Sequence, residues 1–191
     1  GMGEACKVFE TPVTGGNVSF YNEDPQRAVF PTPTIGMIGL IEHTDHITTQ
    51  WFKDAGDVVF LLGENKEHIG ASEYLHTIFK ENRGEVPPLD MKFERKLQDA
   101  LLGAIRTGMV KSAHDVSDGG LAVALGEGCV SNRERMIGAT ITLGDRMRAD
   151  ALLFGEAQSR VVVTCAKDDE ASLKKLFDEA GVPCRKIGTV G

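Results

Sequence analysis

Apolar positions recur along this chain in two rhythms, one near 3.6 residues and one of two, and the alternation between them predicts the order of elements. Residues 1–9 carry the helical rhythm with no capping residue ahead of it. Residues 12–21 read as strand, glycine turn, strand, and residues 22–26 as a polar loop around Pro25. The run Thr34-Ile35-Gly36-Met37-Ile38-Gly39-Leu40-Ile41 predicts a buried strand whose glycines mark close packing. A polar connector follows over 42–54, and the spacing places a domain boundary near 42–48.

From there strands and helices alternate. Strands are expected over 57–62, 109–113, 136–143, 160–165 and from Cys184 onward. Helices are expected over 72–80, 119–129 and 168–180, with a helical turn over 149–154. Asp90 is the candidate cap of a longer helix that sets Phe93, Leu97, Ala100, Leu101 and Ala104 on one face and stops at Gly108. No internal repeat interrupts the series. The expected class is α/β or α+β, a mixed sheet flanked by helices. The chain opens inside a helical pattern and closes inside a strand pattern, so a piece of a longer polypeptide is expected.

Composition narrows the function. The chain has 191 residues, 41% hydrophobic and 26% charged, which argues for a packed core over disorder. Its net charge of -7 disfavours a phosphate backbone as partner, so no nucleic acid is expected. Small phosphorylated ligands are still compatible, because backbone N–H groups bind phosphate without net positive charge. Cys6, Cys129, Cys165 and Cys184 lack metal or redox spacing and read as reduced thiols. No apolar run reaches the roughly 20 residues of a membrane span. No membrane partner is expected, and the cytoplasm is the default compartment.

Chemistry has three candidate places. In Thr14-Gly15-Gly16-Asn17-Val18-Ser19 two glycines let backbone approach a phosphate, and Asn17 offers a hard oxygen suited to Mg2+. Ser19 shares a strand face with Asn17 and could donate to a substrate oxygen. A plain Gly-Asn turn explains the same spacing. In His114-Asp115-Val116-Ser117-Asp118-Gly119-Gly120, a strand runs into a helix capped by Ser117 or Asp118, and Asp115 is a candidate metal ligand. In Gly155-Glu156-Ala157-Gln158-Ser159-Arg160, Glu156 and Gln158 alternate toward one side, as ligand donors or as a solvated turn. The Glu42-His43-Thr44-Asp45-His46 run lacks a third placed ligand and reads as a surface linker.

These motifs resemble one family in order and spacing. Pro12-Val13-Thr14-Gly15-Gly16-Asn17-Val18-Ser19-Phe20-Tyr21-Asn22-Glu23, the 31–41 run, Gly70-Ala71-Ser72-Glu73-Tyr74-Leu75, the 112–125 segment and Phe154-Gly155-Glu156-Ala157-Gln158-Ser159-Arg160 are similar to the phosphoribosylformylglycinamidine synthases. That family sits beside aminoimidazole ribonucleotide synthetase and selenophosphate synthetase. The resemblance implies an ATP-dependent ligase of purine biosynthesis. Such enzymes convert formylglycinamide ribonucleotide, ammonia and ATP to formylglycinamidine ribonucleotide, ADP and phosphate through an iminophosphate. It assigns residues 1–43 to the tail of a second N-type domain and 44–191 to a second C-type domain, truncated at its end. It assigns Gly16 to ATP, Asn17 to Mg2+ and Ser19 to the ribonucleotide.

The implied partners are a glutaminase subunit, a small bridging subunit and the N-terminal part of the same polypeptide. Catalytic histidines, an ATP lysine and carboxylate metal ligands are implied to lie upstream, so these residues alone are expected to be inactive. Asp115, Glu156 and Gln158 correspond to first-half site residues, with Ala157 where the motif has Ser. They are expected to be structural or to line a secondary nucleotide site. Two other readings stay open. A related synthetase of the same superfamily is disfavoured by the 14–23 motif, and a non-catalytic docking module would be separated by the activity of an Asn17→Ala variant.

Overall fold

The computed structural model describes residues 1–17, 21–30 and 32–191. Its centre is a sheet of β1 (Val58–Leu62), β2 (Ser112–Asp115), β3 (Ala139–Ile141), β4 (Val161–Cys165) and β5 (Cys184–Val190), ordered β2-β4-β1-β5-β3. The two central strands are the most continuously apolar, as strands buried on both faces must be. Alternation then divides their side chains. Val58, Phe60, Leu62, Val163 and Cys165 point to one face, and Val59, Leu61 and Val162 to the other.

Each face has its own helical cover. The first is closed by α3 (Met91–Arg106) and α6 (Glu170–Glu179), whose Leu97, Ala100, Ala104, Leu173 and Phe177 join that core. Burial of each large side chain there contributes about 1.5–3 kcal/mol. The second face is closed by α4 (Gly120–Val130), through Leu121 and Ala124, and by Phe52 from the entry segment. In β5, Ile187 and Val190 reach the same core although they stand three residues apart. A register shift between Val59 and Phe60 leaves Ile187 as the extra residue and reverses the alternation after it.

Every named strand pairs antiparallel, where the βα rhythm predicts a mixed sheet. The crossovers do connect strands that run the same way: β1 with β2, and β4 with β5. Another strand lies between the members of each pair, β4 in the first and β1 in the second. This is the split βαβ arrangement, in which crossovers produce no parallel ladder. Among the described residues the one parallel pairing is the isolated bridge Thr49–Ser112.

Local signals act where the pattern placed them. Asp90 Oδ1 accepts from the backbone N–H groups of Lys92 and Phe93 at 3.0 and 3.1 Å, starting α3. Ser72 caps α2 (Glu73–Phe79) through the Leu75 N–H. The turn at 149–154 is α5 (Ala149–Phe154).

Two expectations fail toward the N-terminus. Residues 34–41 form no strand, and Ile38 and Leu40 are 99% and 90% exposed. A strand is defined by neighbours that accept its ladder, and none of the described residues pairs with this run. Residues 12–17 likewise form no strand. Here α1 (Met2–Phe9) docks on α3: Arg95 reaches the Glu10 carboxylate at 3.1 Å and the Val8 carbonyl at 3.5 Å.

Candidate functional site

Two clefts carry the residues singled out by sequence. The first is an open cavity of about 1040 Å³ formed by α1, residues 13–17, residues 29–30 and residues 32–35. Gly15, Gly16 and Asn17 line it, and all three are exposed. Neither glycine has a positive φ, and a Cβ at either would meet no described atom within 4 Å. Backbone strain and crowding by the described chain therefore do not demand glycine here. What the missing side chains leave is room for a ligand to approach the backbone. Asn17 has no hydrogen bond among the described residues that would occupy its amide. Ser19, the third residue of this group, lies outside the described residues.

The second cleft lies where β2 ends and β4 begins. It comprises adjoining cavities of about 640 and 510 Å³, which share Ala71, Asp118 and Glu156 as lining. Asp115 closes β2, and its carboxylate accepts from the Ser117 hydroxyl. That bond holds the Asp115 carboxyl below the ordinary carboxylate range, with His114 adding to the effect. The His114 ring ties strand to helix, with Nε2 2.7 Å from Glu127 of α4 and Nδ1 3.4 Å from Asp115.

The start of α4 overturns the expected cap. Neither Ser117 nor Asp118 caps it; Gly119 is the N-cap residue, at φ 81, without a side-chain cap of its own. A distant carboxylate acts instead. Glu156 Oε1 accepts from the Gly119 N–H at 2.8 Å and from the Glu73 N–H at the start of α2, also at 2.8 Å. One oxygen thus satisfies two orphan donors at the positive ends of two helices. Gly120 follows at φ +72, where a Cβ would stand 2.7 Å from the Phe154 backbone.

The loop that presents Glu156 is fixed from behind by Arg160, which is 3% exposed. Its guanidinium donates to the Gly155 and Ala157 carbonyls, at 2.6 and 2.9 Å, and to Asn65 Oδ1 at 3.0 Å. Burial pulls it down to about 10, so it is charged at neutral pH. Glu156 and Gln158 do line the same cavity, but Glu156 is committed to backbone donors while Gln158 is exposed.

Sequence reading missed the α2 segment, whose His76, Asn82 and Arg83 wall the smaller cavity. It also missed Arg160. A signal for the latter existed: an arginine opening the run Val161-Val162-Val163 falls where alternation requires burial, and a buried charge needs partners. The 42–46 run is a 3-10 turn, Thr44–His46, in which His43 and His46 rings meet edge to face at 5.4 Å. No cluster of metal-ligating side chains occurs among the described residues. All four cysteines are free; burial pushes the Cys165 and Cys184 thiols up to about 11 and about 12. Among the described residues no helix is long and apolar enough to cross a membrane.

Sheet order, helical cover and strand-end cleft together define the class. The family model for "AIR synthase related protein, C-terminal domain" matches residues 54–191, and the chain belongs to that family. Among curated proteins, the PurL subunit of phosphoribosylformylglycinamidine synthase from Symbiobacterium thermophilum is 48% identical over 192 residues, covering all of this chain and 25% of that protein. Its counterpart from Caldanaerobacter subterraneus is 43% identical over 190 residues, covering all of this chain and 26% of that protein. These relatives bear out the family resemblance read from the motifs. The chain spans about a quarter of their length.

Solved structures share the fold. Thermotoga maritima PurL complexed with FGAR superposes with a TM-score of 0.62 at 19% identity, covering 77% of this chain and 26% of that one. The PurLQS structure from the same organism gives 0.56 at 20% identity, covering 78% and 24%.

Proposed function

We propose that this chain is part of the synthetase subunit of a phosphoribosylformylglycinamidine synthase. The complete ligase would join ammonia to formylglycinamide ribonucleotide with ATP cleavage in purine biosynthesis, in the cytoplasm. In this reading residues 1–43 belong to a nucleotide-binding domain and 44–191 to the C-type domain. The partners are the rest of the same polypeptide, a glutaminase subunit and a small bridging subunit. The PurL relatives and the names of the PurLQS and FGAR complexes support it.

The observation that carries the site assignment is the unexplained glycine pair. Gly15 and Gly16 stand in ordinary backbone conformations beside open space, facing a cleft with Asn17. That is a cradle which side chains would fill. ATP with Mg2+ fits it: Gly16 would bring backbone against the nucleotide, Asn17 would give its amide oxygen to the cation, and Ser19 would donate to the ribonucleotide. Bound Mg2+ neutralises phosphate charge during phosphoryl transfer, and this chain's contribution is positioning.

Replacing Gly16 by Val in the complete enzyme tests this directly. The added side chain is expected to raise the KM for ATP at least about tenfold, with the urea midpoint unchanged. An unaltered KM would remove Gly16 from the nucleotide site.

A further inference from the structure

We infer that residues 64–89 form a hinged lid over the strand-end cleft, and that Glu156 is the latch that holds it shut. This inference is independent of the function proposed above. The segment leaves the sheet at Gly63, at φ +80, and returns at the Asp90 cap of α3. Within it Ser72 alone is buried, while Ile78, Phe79 and Val86 are 60%, 55% and 76% exposed. A segment that buries so little apolar surface belongs to the low-stability end of a fold.

It is nevertheless bonded to itself. The Ala71 N–H donates to the Arg83 carbonyl at 2.9 Å, the Glu81 N–H to the Leu75 carbonyl at 3.1 Å, and His76 meets Asn82 at 2.8 Å. The segment is therefore organised to move as one body. Near its base, Asn65 is held by Arg160. Glu67 accepts from the Arg148 N–H at 3.4 Å, and farther along the Glu156 carboxylate meets the Glu73 N–H and Tyr74 stacks on Phe154 at 4.8 Å with planes 4° apart.

Glu156 suits a latch because its bond partners lie in separate bodies. Gly119 belongs to the sheet-packed α4, and Glu73 to the lid. Arg160 fixes both carbonyls flanking Glu156, so the carboxylate stays in place when the lid departs. The smaller cavity is walled mostly by the lid, and Ala71, Asp118 and Glu156 line both cavities, so lifting the lid opens the larger one along the side the two share.

Hydrogen exchange on the intact chain, comparing wild type with E156A and E156Q, tests the latch. In E156A the α2 amides should exchange about tenfold faster while β1 and β4 amides keep their wild-type rates. E156Q, whose amide oxygen still accepts but without charge, should show a smaller rise. Unchanged α2 exchange, or an increase shared evenly with β1 and β4, would overturn the inference. Should E156A fail to fold, Tyr74→Leu serves in its place: it removes the stack on Phe154 and should raise exchange over the same segment, and an unchanged rate there would overturn the inference equally.

Discussion

The two clefts differ in what their polar groups are already doing. In the strand-end cleft the groups that hold the loop and the helix starts are engaged within the chain. Asp115 holds Ser117, Glu156 holds two helix starts, and Arg160 holds the loop between them. In the loop cleft Gly15, Gly16 and Asn17 are exposed, and the space beside the glycines is open. Bonded groups stabilise a fold; groups left facing open space are available to a ligand. The proposed function follows this difference, placing architecture in one cleft and chemistry in the other.

Substitutions in the strand-end cleft should therefore cost stability. Arg160→Met is expected to be the most damaging, at about 3 kcal/mol, because it leaves two buried carbonyls and the Asn65 amide without their donor. Urea unfolding measures it, and a loss under about 1 kcal/mol would mean that water replaces the guanidinium. Gly120→Ala should cost about 2 kcal/mol, since φ +72 and the nearby Phe154 backbone both oppose a side chain.

Ser117→Ala should give the smallest effect, and one that depends on pH. The lowered Asp115 value means that folding favours its charged form. This stabilisation is fully present above the ordinary value of 3.8 and is lost as pH falls through the lower folded-state value. Asp115 is 73% exposed, so the difference between wild type and variant should be about 0.3–0.5 kcal/mol at pH 7, vanishing in acid. A difference that persists at low pH would place the effect in the Ser117 hydroxyl alone.

The sequence showed the body of the fold more clearly than its edges. The runs at 58–62 and 161–165, the Asp90 cap and the α3 face with Leu97, Ala100 and Ala104 were legible because local pattern determines them. Residues 34–41 misled because pattern reports what a segment can bury, not what covers it. Strand direction in the sheet was hidden for a related reason: which strand lies between two others is a tertiary fact. The Glu156 cap was invisible at separations of 37 and 83 residues, since capping rules look only at near neighbours. Of the loop cleft, the motif was legible, and the structure added the open space beside its glycines.

Paired variants of the complete enzyme probe the division of roles most directly. Asn17→Ala should lower ATP-dependent turnover about 100-fold while the unfolding midpoint stays at the wild-type value, and Asp115→Ala should leave turnover within about threefold. Equal losses, or a larger loss for Asp115→Ala, would contradict the assignment of chemistry to the loop cleft.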